Sequence, residues 1–243
     1  MTSRSAGAAA ATALFLFALV VVGRAQDAAP DALADGWRAL RAGNVVTAQR
    51  AFTRAAAQSP NDPGPHEGLA KLAERHKDSP RAVGHYEAAL KRAPDAARLH
   101  IAVGKLLSDM RDHPRAVAHL KQATDLQPDD AATWFTYAQG LWRVEWFPQA
   151  ADAYQRAIAL RPGDAWAHVG LGDTRLSMGM LDDAVVAYDA AIALDPDAYA
   201  AHCGRGAALS KQGAFDDAVA SLRKAIGLRG DYAMINTARY VAV

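Results

Sequence analysis

A proline that recurs at a fixed interval decides what this chain can fold into. Five of the 11 prolines follow one another at intervals of 34 residues, and a glycine takes the sixth position. The series is Pro60, Pro94, Pro128, Pro162 and Pro196, followed by Gly230. A constant period of about 20–50 residues is the signature of a solenoid, in which each repeat packs only on its neighbours. The sequence therefore predicts a stack of similar units.

Small and large residues recur in register with the proline. A glycine or alanine comes first, then an alanine, a large residue four positions later, and another alanine three positions after that. The four sets are Gly36, Ala70, Gly104, Ala138, Gly172 and Gly206; Ala48, Ala82, Ala116, Ala150, Ala184 and Ala218; Phe52, Tyr86, Leu120, Tyr154, Tyr188 and Leu222; and Ala55, Ala89, Ala123, Ala157, Ala191 and Ala225. Small residues let two helices approach closely, and the large residue fills the space beyond them. Each repeat is therefore predicted to be a pair of helices.

The prolines also predict where helices end and begin. A proline ends one helix, and an aspartate just after it can cap the next. The aspartates in this position are Asp95, Asp129, Asp130, Asp164 and Asp197.

These repeated residues resemble the tetratricopeptide repeat, whose pattern is W-x2-L-G-x2-Y…A-x3-F…P. In the fifth repeat the matching residues are His168, Leu171, Gly172, Ala184, Tyr188, Ala191 and Pro196. The resemblance extends from about Pro30 to Gly230. It implies an all-α fold, a right-handed superhelical solenoid of antiparallel helix pairs, and a function in binding other proteins.

Six repeats and a closing helix are predicted. The repeats cover 29–62, 63–96, 97–130, 131–164, 165–198 and 199–232, and the closing helix covers 233–243. Asp35 stands where the pattern has leucine and Ala32 where it has an aromatic residue, so we expect the first repeat to cap the stack and face solvent. Tyr232, Ile235 and Tyr240 can cover the sixth pair. Alternatively, this end packs against a second copy of the chain and forms a homo-oligomer.

The N-terminus has the layout of a secretory signal peptide over residues 1–25. Arg4 precedes an apolar run from Ala8 to Val22, and a plausible cleavage site follows Ala25. The run is shorter than the roughly 20 residues that span a bilayer, so an uncleaved anchor is the alternative and stable membrane insertion is not expected after cleavage. No cysteine lies near the cut to support a lipid anchor.

Composition adds an expectation about the source. Arginine is used more than lysine and asparagine is scarce, which favours a bacterial chain. With a signal peptide, we expect an exported protein in the bacterial periplasm or outside the cell.

Charge and motifs exclude several classes of function. The chain has 27 Lys and Arg against 26 Asp and Glu, so it has no basic character that would indicate nucleic acid. It contains no G-x-S-x-G, H-E-x-x-H, P-loop or glycine-rich dinucleotide motif, and the repeats leave no room for a catalytic domain. We predict a non-enzymatic protein without catalytic residues or cofactors.

The resemblance implies where a partner binds. In tetratricopeptide proteins the first helices of successive pairs line a concave groove. Its predicted lining here is Lys71, Arg75, Arg98, Ile101, Lys105, Phe135, Gln139, Trp142, Arg143, Trp166, Val169 and Asp173, with Cys203, Ser210 and Lys211 at the C-terminal end. Aromatic residues beside arginine are typical of binding hot spots, although Phe135, Trp142 and Trp166 could equally pack on neighbouring helices.

One family-specific function is not supported. Chaperone-binding tetratricopeptide domains hold a C-terminal carboxylate with Lys, Arg and Asn side chains of the groove. No asparagine lies on a first helix of the second to sixth repeats, so that clamp is absent in its usual form.

The histidines suggest a metal site, but their spacing argues against one. His66, His100, His168 and His202 take the same position in four different repeats, which is the position of Trp134 in the fourth. Equivalent helices lie about 8–10 Å apart, whereas zinc ligands lie about 2.0–2.1 Å from the ion. We therefore predict packed, hydrogen-bonded histidines and no metal.

The same argument applies to His85 and His119, which are equivalent positions of neighbouring repeats. The single cysteine, Cys203, is predicted to be a buried apolar residue. A reactive thiol or an intermolecular disulfide is the alternative.

The predicted function is an exported scaffold that binds a peptide or protein segment in its concave groove. The alternative is an assembly subunit of an envelope or secretion complex that uses its convex face or its C-terminal end. A more distant alternative is an enzyme or a glycan-binding protein that stacks sugars on Phe135, Trp142 and Trp166.

Overall fold

The structure, a computed structural model, describes residues 31–241, with side chains up to residue 228. This part holds twelve helices and no strand. The described residues divide into two compact units, with the boundary between Arg92 and Ala93. The first unit contains helices α1 (Ala32–Arg41), α2 (Val45–Gln58), α3 (Gly64–Arg75) and α4 (Ser79–Leu90). The predicted signal peptide lies outside the described residues.

The second unit contains the remaining eight helices. They are α5 (Ala97–Asp109), α6 (His113–Leu126), α7 (Ala131–Arg143), α8 (Phe147–Leu160), α9 (Ala165–Ser177), α10 (Leu181–Leu194), α11 (Tyr199–Gln212) and α12 (Phe215–Val241). Odd-numbered helices are the first and even-numbered helices the second members of successive pairs. Within the described residues, no helix is both long and apolar enough to cross a membrane.

The core of each unit forms where a large side chain meets glycine. In the first unit Phe52 is fully buried, and a Cβ added to Gly36 or Gly68 would lie within about 2.5 Å of its ring. In the second unit Tyr188 lies in the same way against Gly172 and Gly204. The prediction that small residues set the distance between helices and large ones fill it is confirmed.

Aspartates cap some helices as predicted. Asp130 accepts a hydrogen bond from the backbone N–H of Thr133, and Asp164 caps α9. Asp95 and Asp197 do not act as caps, because α5 and α11 begin after alanine residues without a side-chain cap.

The C-terminal helix differs from the expectation. Helix α12 runs without interruption from Phe215 to Val241, so no separate closing helix begins near residue 233. Gly230 stands where the other repeats have proline, but glycine keeps its N–H and has no ring to clash with the preceding turn. It therefore weakens the helix without ending it.

The first pair meets solvent only in part. Asp35 is partly exposed and pairs with Arg38 at 2.8 Å and Arg54 at 3.5 Å. Ala32, in contrast, is buried, so this position is covered although it lacks the aromatic residue of the pattern.

Candidate functional site

The repeated histidine position is tied to the backbone. The Nε2 atoms of His100, His168 and His202 lie 3.0, 3.2 and 3.0 Å from the carbonyl oxygen of the proline six residues earlier. Trp134, in the same position, donates its ring N–H to the carbonyl of Pro128 at 2.8 Å. These four residues share a ring N–H donor, and the prediction of hydrogen-bonded histidines is confirmed for these three. It is wrong for the Nδ1 of His66, which has no hydrogen-bond partner among the described residues, and the carbonyl of Pro60 accepts from Arg92 instead.

Two predicted groove residues lie in the first unit. Lys71 is exposed and forms an ion pair with Glu74 at 3.0 Å, and its Nζ lies 5.6 Å from the centre of the Tyr86 ring. Tyr86 in turn donates a hydrogen bond to Glu74 at 2.8 Å. Burial is the main cause that raises the pKa of the Tyr86 phenol, so it stays a neutral donor. Arg75 is exposed on the same helix.

In the second unit, three predicted residues meet in one depression. Lys105 of α5 lines it together with Gln139 and Arg143 of α7. The depression has a volume of about 200 Å³. Its other lining residues are Ser108, Asp109, Leu120, Thr136 and Gly140. We call it the α5–α7 depression.

A larger pocket adjoins this depression at the turns between helices. It has a volume of about 470 Å³ and shares Ser108, Asp109 and Arg143 with the depression. The additional lining residues are Arg111, His113, Trp142, Glu145 and Phe147. We call it the turn pocket. Counting around the first helices predicted Trp142 and Arg143 of this set but not the turn residues.

The cations of both cavities lack internal partners. Within the described residues, the side chains of Lys105, Arg111 and Arg143 form no ion pair and no hydrogen bond. The Nδ1 atom of His113 is buried and also has no hydrogen-bond partner there. Groups without internal partners are available to bind an external ligand.

The predicted aromatic residues divide into two kinds. Phe135 is partly buried and packs edge-on against Tyr154 of a core cluster, with ring centres 5.8 Å apart. Trp142 and Trp166 are 40% and 58% exposed. Trp166 lines neither cavity, so only Trp142 is both exposed and part of the site.

Other predicted groove residues are partly or fully inside the protein. Val169 is only 6% exposed and packs in a cluster with Ala201 of α11, so its prediction as a lining residue is wrong. Cys203 is 1% exposed, which confirms it as a buried apolar residue and removes it from the lining. Small residues on α11 let this helix approach α9 closely and cover that face. Ile101 is half-buried, while Arg98, Ser210 and Lys211 are exposed.

Asp173 also forms a hydrogen bond inside the protein. Its carboxylate accepts a hydrogen bond from the Tyr188 hydroxyl at 2.6 Å. Burial raises the pKa of Asp173 to about 6, and the hydrogen bond from Tyr188 partly opposes this shift. Asp173 is therefore an anchored carboxyl group rather than a freely exposed one.

A third cavity lies on the second-helix side. It is an apolar cleft of about 330 Å³ formed by residues of α8, α9 and α10. Ile158, Leu171 and Val186 line it, and Val186 is 65% exposed. We call it the α8–α10 cleft.

Sequence profiles of known families match most of the described chain. Profiles of the tetratricopeptide repeat match residues 39–106, 101–165 and 199–232, and a profile described as TPR repeat matches residues 172–213. The chain belongs to the tetratricopeptide-repeat family. Among proteins with curated descriptions, no sequence matches it.

Solved structures show the same fold. MamA is 27% identical, over 71% of this chain and 94% of its own, with a TM-score of 0.65. YrrB, described as having an unusual peptide-binding site, is 22% identical over 79% and 98%, with the same score. The pilF protein of Pseudomonas aeruginosa is 16% identical over 87% and 95%, also at 0.65. The predicted all-α fold of stacked helix pairs is confirmed, and such folds support non-catalytic protein-interaction scaffolds.

Proposed function

We propose that this protein is an exported, non-enzymatic scaffold that binds a segment of another protein along α5 and α7. The observation that carries the proposal is the α5–α7 depression with its adjoining turn pocket. Lys105, Gln139 and Arg143 converge there although they lie on two helices. The exposed Trp142 ring stands beside them.

The chemistry of the site indicates the kind of segment that fits. The ammonium of Lys105 and the guanidinium groups of Arg111 and Arg143 can bind carboxylates of the partner, and arginine does so with two parallel hydrogen bonds. The Trp142 ring offers a face for an apolar or aromatic side chain. We therefore expect a partner segment that combines acidic and large apolar residues.

The comparisons support the binding of a protein segment, although they do not identify it. A peptide-binding site is described for YrrB, a protein of the same fold. Export to the periplasm or the cell exterior remains part of the proposal and rests on the sequence of residues 1–25 alone.

Affinity capture from a bacterial envelope extract tests the proposal. The native chain is compared with a Trp142→Ala, Arg143→Ala variant whose fold is checked by circular dichroism. A Val186→Glu variant is the matched control, because it alters an exposed surface residue of the α8–α10 cleft. We expect the partner to be lost with the first variant and retained with the second. Retention by the first variant would contradict the proposed site.

A second candidate function is supported by the α8–α10 cleft. An exposed apolar cleft is a surface that an assembly partner can cover, as expected of a subunit of an envelope or secretion complex. In the same capture experiment, this function requires that Val186→Glu abolish binding while Trp142→Ala, Arg143→Ala does not. A homo-oligomer formed through the C-terminal end would instead show as a concentration-dependent mass in sedimentation.

A further inference from the structure

Histidines face each other within two helix pairs. The rings of His100 on α5 and His119 on α6 have their centres 5.2 Å apart, and those of His66 and His85 are 6.0 Å apart. The two members of each pair belong to the same repeat, one on its first and one on its second helix. The two rings of each pair are therefore closer together than equivalent histidines of different repeats, which are too far apart to share a metal ion.

The hydrogen bonds of His100 determine which of its nitrogens carries the proton. Its Nε2 lies 3.0 Å from the carbonyl oxygen of Pro94, which can only accept, so Nε2 donates. In the neutral ring, Nδ1 then has a lone pair, which accepts a hydrogen bond from the Nδ1–H of His119 at 3.0 Å. Histidines that bind metals are held in this way, with the distant N–H on a backbone carbonyl.

The spacing of the two Nδ1 atoms suits a single metal ion. Zinc lies about 2.0–2.1 Å from imidazole nitrogen, so two such ligands of a tetrahedral ion are about 3.3 Å apart. The observed distance of 3.0 Å is close to this value, and zinc binding requires each ring to turn until its Nδ1 lone pair points at a common position beside the line that joins the two nitrogens. Both rings are half-buried, so water can reach the remaining coordination positions.

We propose that His100 and His119 bind a zinc ion through their Nδ1 atoms, with water as the other ligands. The proton on the Nδ1 of His119 moves to Nε2 of the same ring, so the neutral pair binds zinc without net release of protons. No group of three or more His, Cys, Asp or Glu side chains surrounds one position in the described residues. The site therefore has two protein ligands and binds zinc less tightly than a structural site with four.

The other pair differs in its hydrogen bonding. The Nδ1 of His66 is buried and has no hydrogen-bond partner among the described residues. Burial and the charge of Arg92 lower the pKa of His66, and burial, His66 and Arg81 lower that of His85. No hydrogen bond holds the two rings in position for a common ligand. Any zinc bound there contributes equally to the variants compared below.

A zinc titration of the full chain, made without a polyhistidine tag, tests the proposal. Zinc is partitioned between the protein and a chromogenic chelator, and the native chain is compared with His119→Ala. The matched control is His168→Ala, since His168 has the same bond to a proline carbonyl but Ala187 takes the position of His119 in that repeat. We expect His119→Ala to lose one equivalent of bound zinc and His168→Ala to lose none.

Equal zinc binding by the native chain and His119→Ala would overturn the proposal, as would no binding by the native chain. If His119→Ala does not fold, His119→Gln replaces it. A second measurement needs no variant: zinc must shift the ¹⁵N resonances of Nδ1 in both His100 and His119. Unshifted resonances at saturating zinc would reject the site independently of stability.

Discussion

The interior of the helix pairs and the surface of their first helices follow different rules. In the interior, Tyr188 lies against Gly172 of its own pair and Gly204 of the next first helix, where an added Cβ would lie 2.6 and 2.3 Å from the ring. Leu120 meets Gly104 in the same way. These positions repeat because every pair must keep the same distance between its helices.

The surface does not repeat. Trp142 is exposed, while Leu176, its equivalent in the next repeat, packs against the core cluster that contains Tyr188. Gln139 is exposed, while the equivalent Asp173 is anchored to Tyr188. The repeated residues therefore explain how the protein folds. The surface positions that do not repeat are those at which the protein can select a partner.

The largest expected effect comes from breaking the interior. Gly204→Ala places a methyl group against the ring of Tyr188, which is fully buried and cannot move aside. Overpacking of this kind costs about 1–3 kcal/mol. We expect a lower melting temperature and a lower denaturant midpoint, and an unchanged midpoint would contradict the packing described here.

Gly84→Ala is the control for this substitution. An added Cβ at Gly84 has no neighbour within 4 Å, and the residue lies inside helix α4. Alanine there should raise the free energy of unfolding by about 0.5–1 kcal/mol. The same glycine-to-alanine substitution is thus expected to lower the free energy of unfolding at Gly204 and to raise it at Gly84.

The pH dependence of stability tests whether the carboxyl group of Asp173 has a raised pKa in the folded protein. The pKa of Asp173 is raised to about 6, so the folded state holds its proton more tightly than the unfolded chain does. The free energy of unfolding of the native chain should therefore fall, relative to Asp173→Asn, as the pH rises from about 4 through 6. The shift corresponds to at most about 3 kcal/mol, and contact with solvent reduces it. Parallel stability curves for the two proteins would contradict this assignment.

Sequence reasoning predicted the helix residues that line the α5–α7 depression. Lys105, Gln139 and Arg143 were predicted by counting around the first helices, and the structure brings them together. Counting failed for Val169 because burial also depends on how closely the next helix approaches. The small residue Ala201 on α11 packs in the same cluster as Val169, and no count along α9 reveals this contact.

The turn residues of the pocket were missed for another reason. Arg111 and Glu145 have positive φ angles of 63° and 59°, in the region that favours glycine. The equivalent turns hold Gly179 and Gly213, both with positive φ. A charged residue that replaces a repeated turn glycine was therefore a visible signal, although only the structure shows that it lines a cavity.

A smaller effect is expected at these turns. Gly179 has a φ of 75° and open space around its added Cβ, so Gly179→Ala changes the backbone strain and no packing contact. For any residue with a side chain, the left-handed backbone conformation is unfavourable by about 1–2 kcal/mol. Gly163→Ala, which has equally open space and no positive φ, is the control and should be nearly neutral. Equal stability of the two variants would show that these turns relax without strain.

The smallest expected change in stability is at the exposed surface formed by Trp142 and Arg143. Trp142→Ala, Arg143→Ala removes two exposed side chains, and the guanidinium group of Arg143 has no partner within the described residues. Surface substitutions of this kind usually change the free energy of unfolding by less than about 0.5 kcal/mol. Denaturation of this variant beside Gly204→Ala should therefore separate the two roles, since one variant loses stability and the other loses only its partner. A large loss of stability in the surface variant would mean that Trp142 supports the fold, and the division between interior and surface would then fail at this residue.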